Sequence, residues 1–183
     1  MTLVETLRRR IVVTTWLFMA GLVLSGATAI PLNSELDWLA EWTGAQQLVA
    51  GVSTTPALSW AVWLVKIQTT LHEVALKFPF LAYGTDWLAF GHFVIAIAFI
   101  GALRDPVRNR WLFDFGLIAC ALVIPYALTF GALRGIPLWW RLIDCSFGVV
   151  GAVPLWLCRQ WSSQLELASA GKSPPASAHA AAA

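Results

Sequence analysis

Charged side chains are scarce in this chain of 183 residues. Only 12% of the residues are Asp, Glu, Lys or Arg, and 58% are hydrophobic. A soluble domain is about a quarter charged, so a water-exposed fold would have too little polar surface here, whereas lipid-facing helices need little. The net charge of +2 is small and no basic stripe interleaved with aromatic residues is present, which argues against nucleic acid as a partner. The composition therefore indicates a membrane protein.

Cysteine is also rare. Cys120, Cys145 and Cys158 are far apart and form no CxxC pair, which argues against a thiol–disulfide carrier and a thiolate metal site. The chain contains no GxSxG motif, phosphate loop or dinucleotide fingerprint, so the cofactor, if any, stays unknown. Asp86 and His92 do not share a helix face, since they are about 120° apart on a straight helix, and we predict no metal site.

Apolar runs of membrane-spanning length recur along the chain. About 20 residues cross a bilayer core, and each run approaches this length. We predict an all-α, polytopic membrane protein, a four-helix transmembrane bundle. Gly84, Gly91 and Ala98 share a helix face, which favours close helix packing but also fits the general abundance of small residues in spans. The predicted transmembrane helices are residues 11–30, 84–103, 112–133 and 140–158.

Arginines predict the orientation. Arg8, Arg9 and Arg10 directly precede the first apolar run, and the sequence RDPVRNR follows the second. Lys and Arg beside a span stay in the cytoplasm, so we expect both chain ends there, in an integral protein of a bacterial inner (plasma) membrane. An alternative is that the first run is a cleaved signal peptide. The cytoplasmic segments are predicted to be 1–10, the loop 104–111 and a disordered tail over 159–183, and the outer turn to be 134–139.

Residues 31–83 are predicted to form an extracytoplasmic, partly helical cap between the first two spans. Pro31 ends the first helix, and Ser34 is positioned to cap a short helix after it. Residues 57–78 are amphipathic, with polar side chains on one face and an apolar stripe elsewhere. This pattern favours a helix lying in the outer interface, although the segment is apolar enough for a fifth span.

Ionisable residues inside spans are costly and therefore mark candidate sites. In the predicted topology several fall in the outer half of the bilayer, where imidazoles and carboxylates could bind a cation or relay protons, and arginines could hold a carboxylate or phosphate. The alternative is structural: Arg141 neutralises Asp144, Asp86 pairs with Arg134, and His92 donates to a nearby carbonyl. The candidate ligand-binding residues are His92, Asp86, Asp144, Arg141, Arg134, His72 and Glu73.

Three functional hypotheses follow. The first is a ligand- or ion-binding, or transport-accessory, membrane protein. The second is a structural subunit of a larger membrane complex, docked through small-residue faces. The third is an enzyme acting on a lipid or quinone-like substrate, with His92 as acid or base oriented by Asp144 or Asp86. The expected partners are membrane lipid and a membrane protein or second copy of this chain, with no nucleic acid.

Overall fold

The computed structural model describes residues 2–51 and 59–170, and this part of the chain is 90% helical without strands. It forms two compact units. We call the described parts of residues 1–20 and 96–183 the terminal unit, and residues 21–95 the central unit. The helices are α1 (Leu3–Thr28), α2 (Leu32–Thr43), α3 (Ala45–Gly51), α4 (Ser59–Lys77), α5 (Tyr83–Ala98), α6 (Ile100–Arg104), α7 (Trp111–Leu133) and α8 (Leu138–Ala170), with a 3₁₀ turn at Pro79–Ala82 before α5.

Four helical segments are long and apolar enough to cross a membrane, as the sequence predicts. They have mean hydropathies between 1.4 and 2.0, and at most 22% of the residues in an apolar 18-residue stretch of each segment are buried. Most of their large apolar side chains are therefore left uncovered, which fits lipid as the surrounding solvent. The four segments are α1, Pro79–Arg104, α7 and α8.

The structure places helix ends differently from the sequence in two regions. α1 begins at Leu3 and so contains the arginines that precede the apolar run. α8 continues to Ala170, although the sequence predicts disorder from residue 159. Tertiary contacts explain this continuation, because Ser162 and Leu165 are buried against the terminal unit. The remainder of the predicted tail, residues 171–183, lies outside the described residues.

The central unit has its own small core, formed by α2, α3 and α4. Its buried residues come from all three helices, and α4 is not among the four segments with span character. The apolar stripe of α4 thus packs partly against protein instead of facing only lipid. α2 begins directly after Pro31 without a side-chain cap, so Ser34 is not its N-cap. Residues 57–58 and Pro56 lie outside the described part. The core residues are Leu36, Ala40, Ala45, Ala61 and Leu64.

The terminal unit is organised around the antiparallel pair of α7 and α8. Three glycines allow the two helices to approach closely, since a Cβ at each would meet the opposing helix within 3 Å. α1 packs on this pair, with Thr15 Oγ1 lying 3.7 Å from Cys158 Sγ. The facing positions along the pair are Gly131 with Arg141, Cys120 with Gly148, Gly116 with Leu155, and Asp114 with Arg159.

Candidate functional site

The predicted site residues are divided between the two units. The central unit contains four of them, on α4 and α5, and the terminal unit contains three, at the end of α7 and the start of α8. Each group has surroundings of its own. The central-unit residues are His72, Glu73, Asp86 and His92, and the terminal-unit residues are Arg134, Arg141 and Asp144.

His92 is anchored to its own helix. Its Nδ1 lies 2.8 Å from the carbonyl oxygen of Leu88. A carbonyl can only accept, so Nδ1 carries the proton and Nε2 of the neutral ring keeps its lone pair. α1 passes directly beside this residue, because a Cβ on Gly26 would lie 2.9 Å from the Cβ of His92. The predicted hydrogen bond from His92 to a nearby carbonyl is therefore present, and it fixes the ring without using Nε2.

Asp86 lies at the beginning of α5 among aromatic side chains. It lines a small open cavity of about 250 Å³ together with Tyr83, Trp87 and Phe90. Trp87 packs edge-on against both aromatic neighbours, with ring centroids 5.9 and 5.4 Å apart. Within the described central unit, the hydrogen bond of His92 goes to Leu88 and not to Asp86, so Asp86 does not orient the imidazole in the way that an acid–base pair requires.

His72 belongs to a polar network that connects α2, α3 and α4. Its Nε2 lies 3.1 Å from Oδ1 of Asp37. Gln68 donates to the same carboxylate oxygen at 2.7 Å and accepts from Nε2 of Gln46 at 3.0 Å. Gln68 is only 7% exposed, so these bonds satisfy a buried amide. Glu73 does not join this network among the described residues and instead pairs with Lys77 at 3.8 Å.

The sequence did not identify Asp37, Gln68 or Gln46 as members of a cluster. The available signal was local: Gln68 precedes His72 by four residues on α4, so both share a face. Nothing in the sequence specified that α2 and α3 would cover this face. The turn between those helices, closed by Gly44 in the left-handed conformation (φ 64°), brings them together.

Arg134 and Asp144 line a cavity in the terminal unit, a groove of about 680 Å³ along α7 and the start of α8. Most of its wall is apolar or aromatic. Arg134 follows the last residue of α7, and Asp144 lies in the second turn of α8. The groove therefore combines a long apolar wall with one cation and one carboxyl group. Its remaining lining residues are Ala119, Leu122, Val123, Tyr126, Ala127, Phe130, Gly131 and Ile136.

Arg141 has a different role from the other two. Its side chain lies across Gly131, where a Cβ would stand 2.5 Å from Cδ of Arg141. Its Nη1 donates to the carbonyl oxygen of Leu128 at 3.1 Å. The ion pairs described within the terminal unit do not include Arg141 with Asp144, so the predicted mutual neutralisation of this pair is absent there. Arg141 instead fastens the start of α8 to the end of α7.

Ion pairs connect the start of α7 with the C-terminal half of α8. Arg159 Nε bonds to Oδ1 of Asp114, and Arg110 Nη1 lies 3.0 Å from Oε2 of Glu166. Of the arginines at this end of the helix pair, Arg159 is the one that pairs with Asp114. The carboxylates of Asp114 and Glu166 therefore stabilise the contact between the two helices.

The part of the chain that the structure describes contains no group of three His, Cys, Asp or Glu residues placed to hold a metal ion. No family model matches the chain, and no curated protein or solved structure matches it. The functional argument therefore depends on the geometry of the two units alone.

Proposed function

We propose that this chain is an integral membrane protein that crosses the bilayer four times and binds an amphipathic, lipid-like molecule in the groove of α7 and α8. The observation that supports this function most directly is the position of Arg134 and Asp144 in an otherwise apolar groove of about 680 Å³. This arrangement combines the two properties of an amphipathic ligand, a long apolar portion and a polar head.

The apolar wall matches a hydrocarbon chain. Leu122, Tyr126 and Phe130 follow one another along α7 at helical spacing, and they are 60%, 65% and 47% exposed. In a bilayer such a wall is covered by acyl or isoprenoid chains, because water is absent at that depth. The open side of the groove lets a chain enter laterally from the lipid.

The polar residues predict the chemistry of the ligand head. Arg134 presents only donors and suits a phosphate or carboxylate, whereas ionised Asp144 only accepts and suits a hydroxyl or ammonium group. A carboxyl group within a span costs several kcal/mol unless it has a partner, and a ligand donor would remove part of this cost. We infer a lipid head that carries both an acidic group and a donor.

Photo-crosslinking tests this function. The protein would be reconstituted in nanodiscs with a lipid that carries a diazirine on its acyl chain, and labelled peptides would be mapped by mass spectrometry. Ala127→Trp fills the groove and should reduce labelling of α7 about tenfold. Val150→Trp is the matched control, because Val150 is a 68% exposed residue of α8 that does not line the groove. Equal labelling of both variants and the wild type would refute groove binding.

The head group can be tested separately. Arg134→Gln and Asp144→Asn should each weaken binding of a lipid that carries a phosphate and a hydroxyl or amine by roughly tenfold, about the contribution of one charge-assisted hydrogen bond. Neither variant should change binding of an uncharged diacylglycerol. If the two substitutions weaken binding of the charged and the uncharged lipid equally, Arg134 and Asp144 do not recognise the lipid head group.

The proposal includes the predicted topology. Both termini are in the cytoplasm, and residues 31–83 form a cap on the other side with α4 at the interface. Basic residues in the first turns of α1 and in the loop after α6 support this orientation through the positive-inside bias. The groove mouth at Arg134 then faces the outer leaflet.

A second candidate is a structural subunit of a larger membrane complex. Gly84 and Gly91 lie on α5 with nothing within 4 Å of a Cβ built on either among the described residues of the central unit. Small residues on an uncovered helix face favour docking of another helix in lipid. Gly91→Leu should then reduce the apparent size after gentle detergent extraction, whereas Gly21→Leu, at an equally open glycine of α1, should not. A wild-type protein that runs as a monomer would exclude this candidate.

A further inference from the structure

A second cavity lies in the terminal unit near the start of α7, at the end away from the groove. Its volume is about 250 Å³, and segments from α1, α6, the following loop and α8 line it. Two arginines, Arg8 and Arg104, are among its lining residues. The other lining residues are Val4, Asp105, Pro106, Val107, Leu165 and Ser169.

The neighbouring acids form their ion pairs with other arginines in the described residues. Asp114 and Glu166 pair with Arg159 and Arg110, and within the described residues no ion pair involves Arg8 or Arg104. The carboxylate of Asp105 accepts the backbone N–H of Arg108 at 3.0 Å, so it is engaged in closing the loop. The cavity is therefore lined by two arginines that form no ion pair among the described residues and by one carboxylate, Asp105, which holds the loop.

The loop that positions Arg104 is held by internal hydrogen bonds. The side-chain amide of Asn109 donates to the carbonyl oxygens of Gly101 and Asp105, both at 3.0 Å. Pro106 is buried, and Ala102 has no exposed surface. Because the loop backbone is already held, binding an anion would have to order only the two arginine side chains.

The positions of Arg8 and Arg104 at the ends of two apolar segments favour the depth of lipid head groups for this cavity. Arg8 lies three residues before Ile11, where the first apolar run begins, and Arg104 is the last residue of the segment Pro79–Arg104. Guanidinium groups form paired, charge-assisted hydrogen bonds with phosphate oxygens, while Val4 and Leu165 offer apolar contacts beside them. We propose that Arg8 and Arg104 bind the phosphate of an anionic phospholipid, at a site separate from the groove of α7 and α8.

Native mass spectrometry of the full chain tests this site. The protein would be released from nanodiscs containing phosphatidylglycerol and phosphatidylcholine, and the retained lipids would be counted. We expect at least about fivefold preferential retention of phosphatidylglycerol, and a loss of about tenfold or more in the Arg8→Gln/Arg104→Gln variant. The matched control is Arg9→Gln/Arg108→Gln, which removes the same charge from α1 and from the loop that follows Arg104 but alters no residue that lines the cavity. This control should retain the lipid within about twofold.

Two further measurements keep the proposal testable if the double variant does not fold. Phosphatidylglycerol should raise the melting temperature of the wild-type protein more than phosphatidylcholine does. Inorganic phosphate at millimolar concentration should not reproduce that shift, because it lacks the apolar contacts. Equal loss in both double variants would mean a diffuse charge effect and would overturn the site. An equal shift of the melting temperature with inorganic phosphate would overturn the assignment of a lipid as the ligand. An absence of preference for phosphatidylglycerol would overturn both the site and its lipid ligand.

Discussion

The carbonyl oxygen of Cys120 lies 2.5 Å from the point where a Cβ on Gly148 would stand. At this point α7 and α8 approach so closely that the backbone of one helix occupies the side-chain position of the other. Such an approach maximises van der Waals contact, which is a main source of helix association in lipid, where no hydrophobic force drives two helices together. The groove proposed for the ligand is lined by the same helix pair.

Gly148→Ala should therefore destabilise the protein by about 1–3 kcal/mol, because the added methyl group must push the helices apart. Gly21→Ala is the control, since nothing lies within 4 Å of a Cβ at Gly21. That control should be neutral or slightly stabilising, because alanine favours a helix more than glycine does. Thermal unfolding in mild detergent, followed by tryptophan fluorescence, measures both. Unchanged stability of Gly148→Ala would contradict the close approach.

The buried amide of Gln68 leads to a second prediction. It donates to Asp37 and accepts from Gln46, so Gln68→Ala removes both bonds and leaves a cavity in the core of the central unit. We expect a loss of about 1–3 kcal/mol in stability. Gln47→Ala, at an exposed position of α3, should change stability by less than about 0.5 kcal/mol.

Hydrogen exchange can localise the effect of Gln68→Ala. Amides of α2 and α4 should exchange faster in the variant, and those of α7 should not. If Gln68→Ala had the same stability and exchange rates as Gln47→Ala, the hydrogen-bond network would not contribute to stability.

The four long apolar helices were predictable because each depends on a local property, a long apolar run that needs no tertiary information. The helix beyond residue 158 was not predictable in this way. Ser162 and Leu165 are held by contacts with distant parts of the terminal unit, and Glu166 pairs with Arg110. Local polarity predicted disorder there, and tertiary packing overrode it.

The candidate residues show a similar division. The sequence could identify His92, Arg134 and Asp144 as polar residues in apolar surroundings, because their neighbours along the chain are apolar. It could not predict that Arg141 lies across Gly131, since this contact depends on how two helices face each other. The Asp37 and Gln68 contact depends in turn on how α2 covers α4.

The ion pair of Asp114 and Arg159 should contribute only modestly to stability. Both side chains are partly exposed, at 42% and 40%, so the surrounding solvent screens the attraction. A double-mutant cycle with Asp114→Ala and Arg159→Ala should give a coupling energy of roughly 0.2–1 kcal/mol. Thermal unfolding of the four proteins measures it. A coupling near zero would mean that the two side chains are independent, and one above about 3 kcal/mol would indicate a pair shielded from water.

The orientation in the membrane gives the last prediction. If the positive-inside bias governs this chain, a cysteine at Arg108 is in the cytoplasm and one at Gln47 is on the outer side. Both positions are exposed, so both can be labelled. The three native cysteines would first be replaced by alanine, although Cys145 and Cys158 are already buried. In intact spheroplasts, a membrane-impermeant maleimide should label Gln47→Cys but should label Arg108→Cys only after lysis.

The reverse pattern would invert the topology and place the mouth of the groove at the inner leaflet. Labelling of both sites from outside would mean that the number of crossings between them is even.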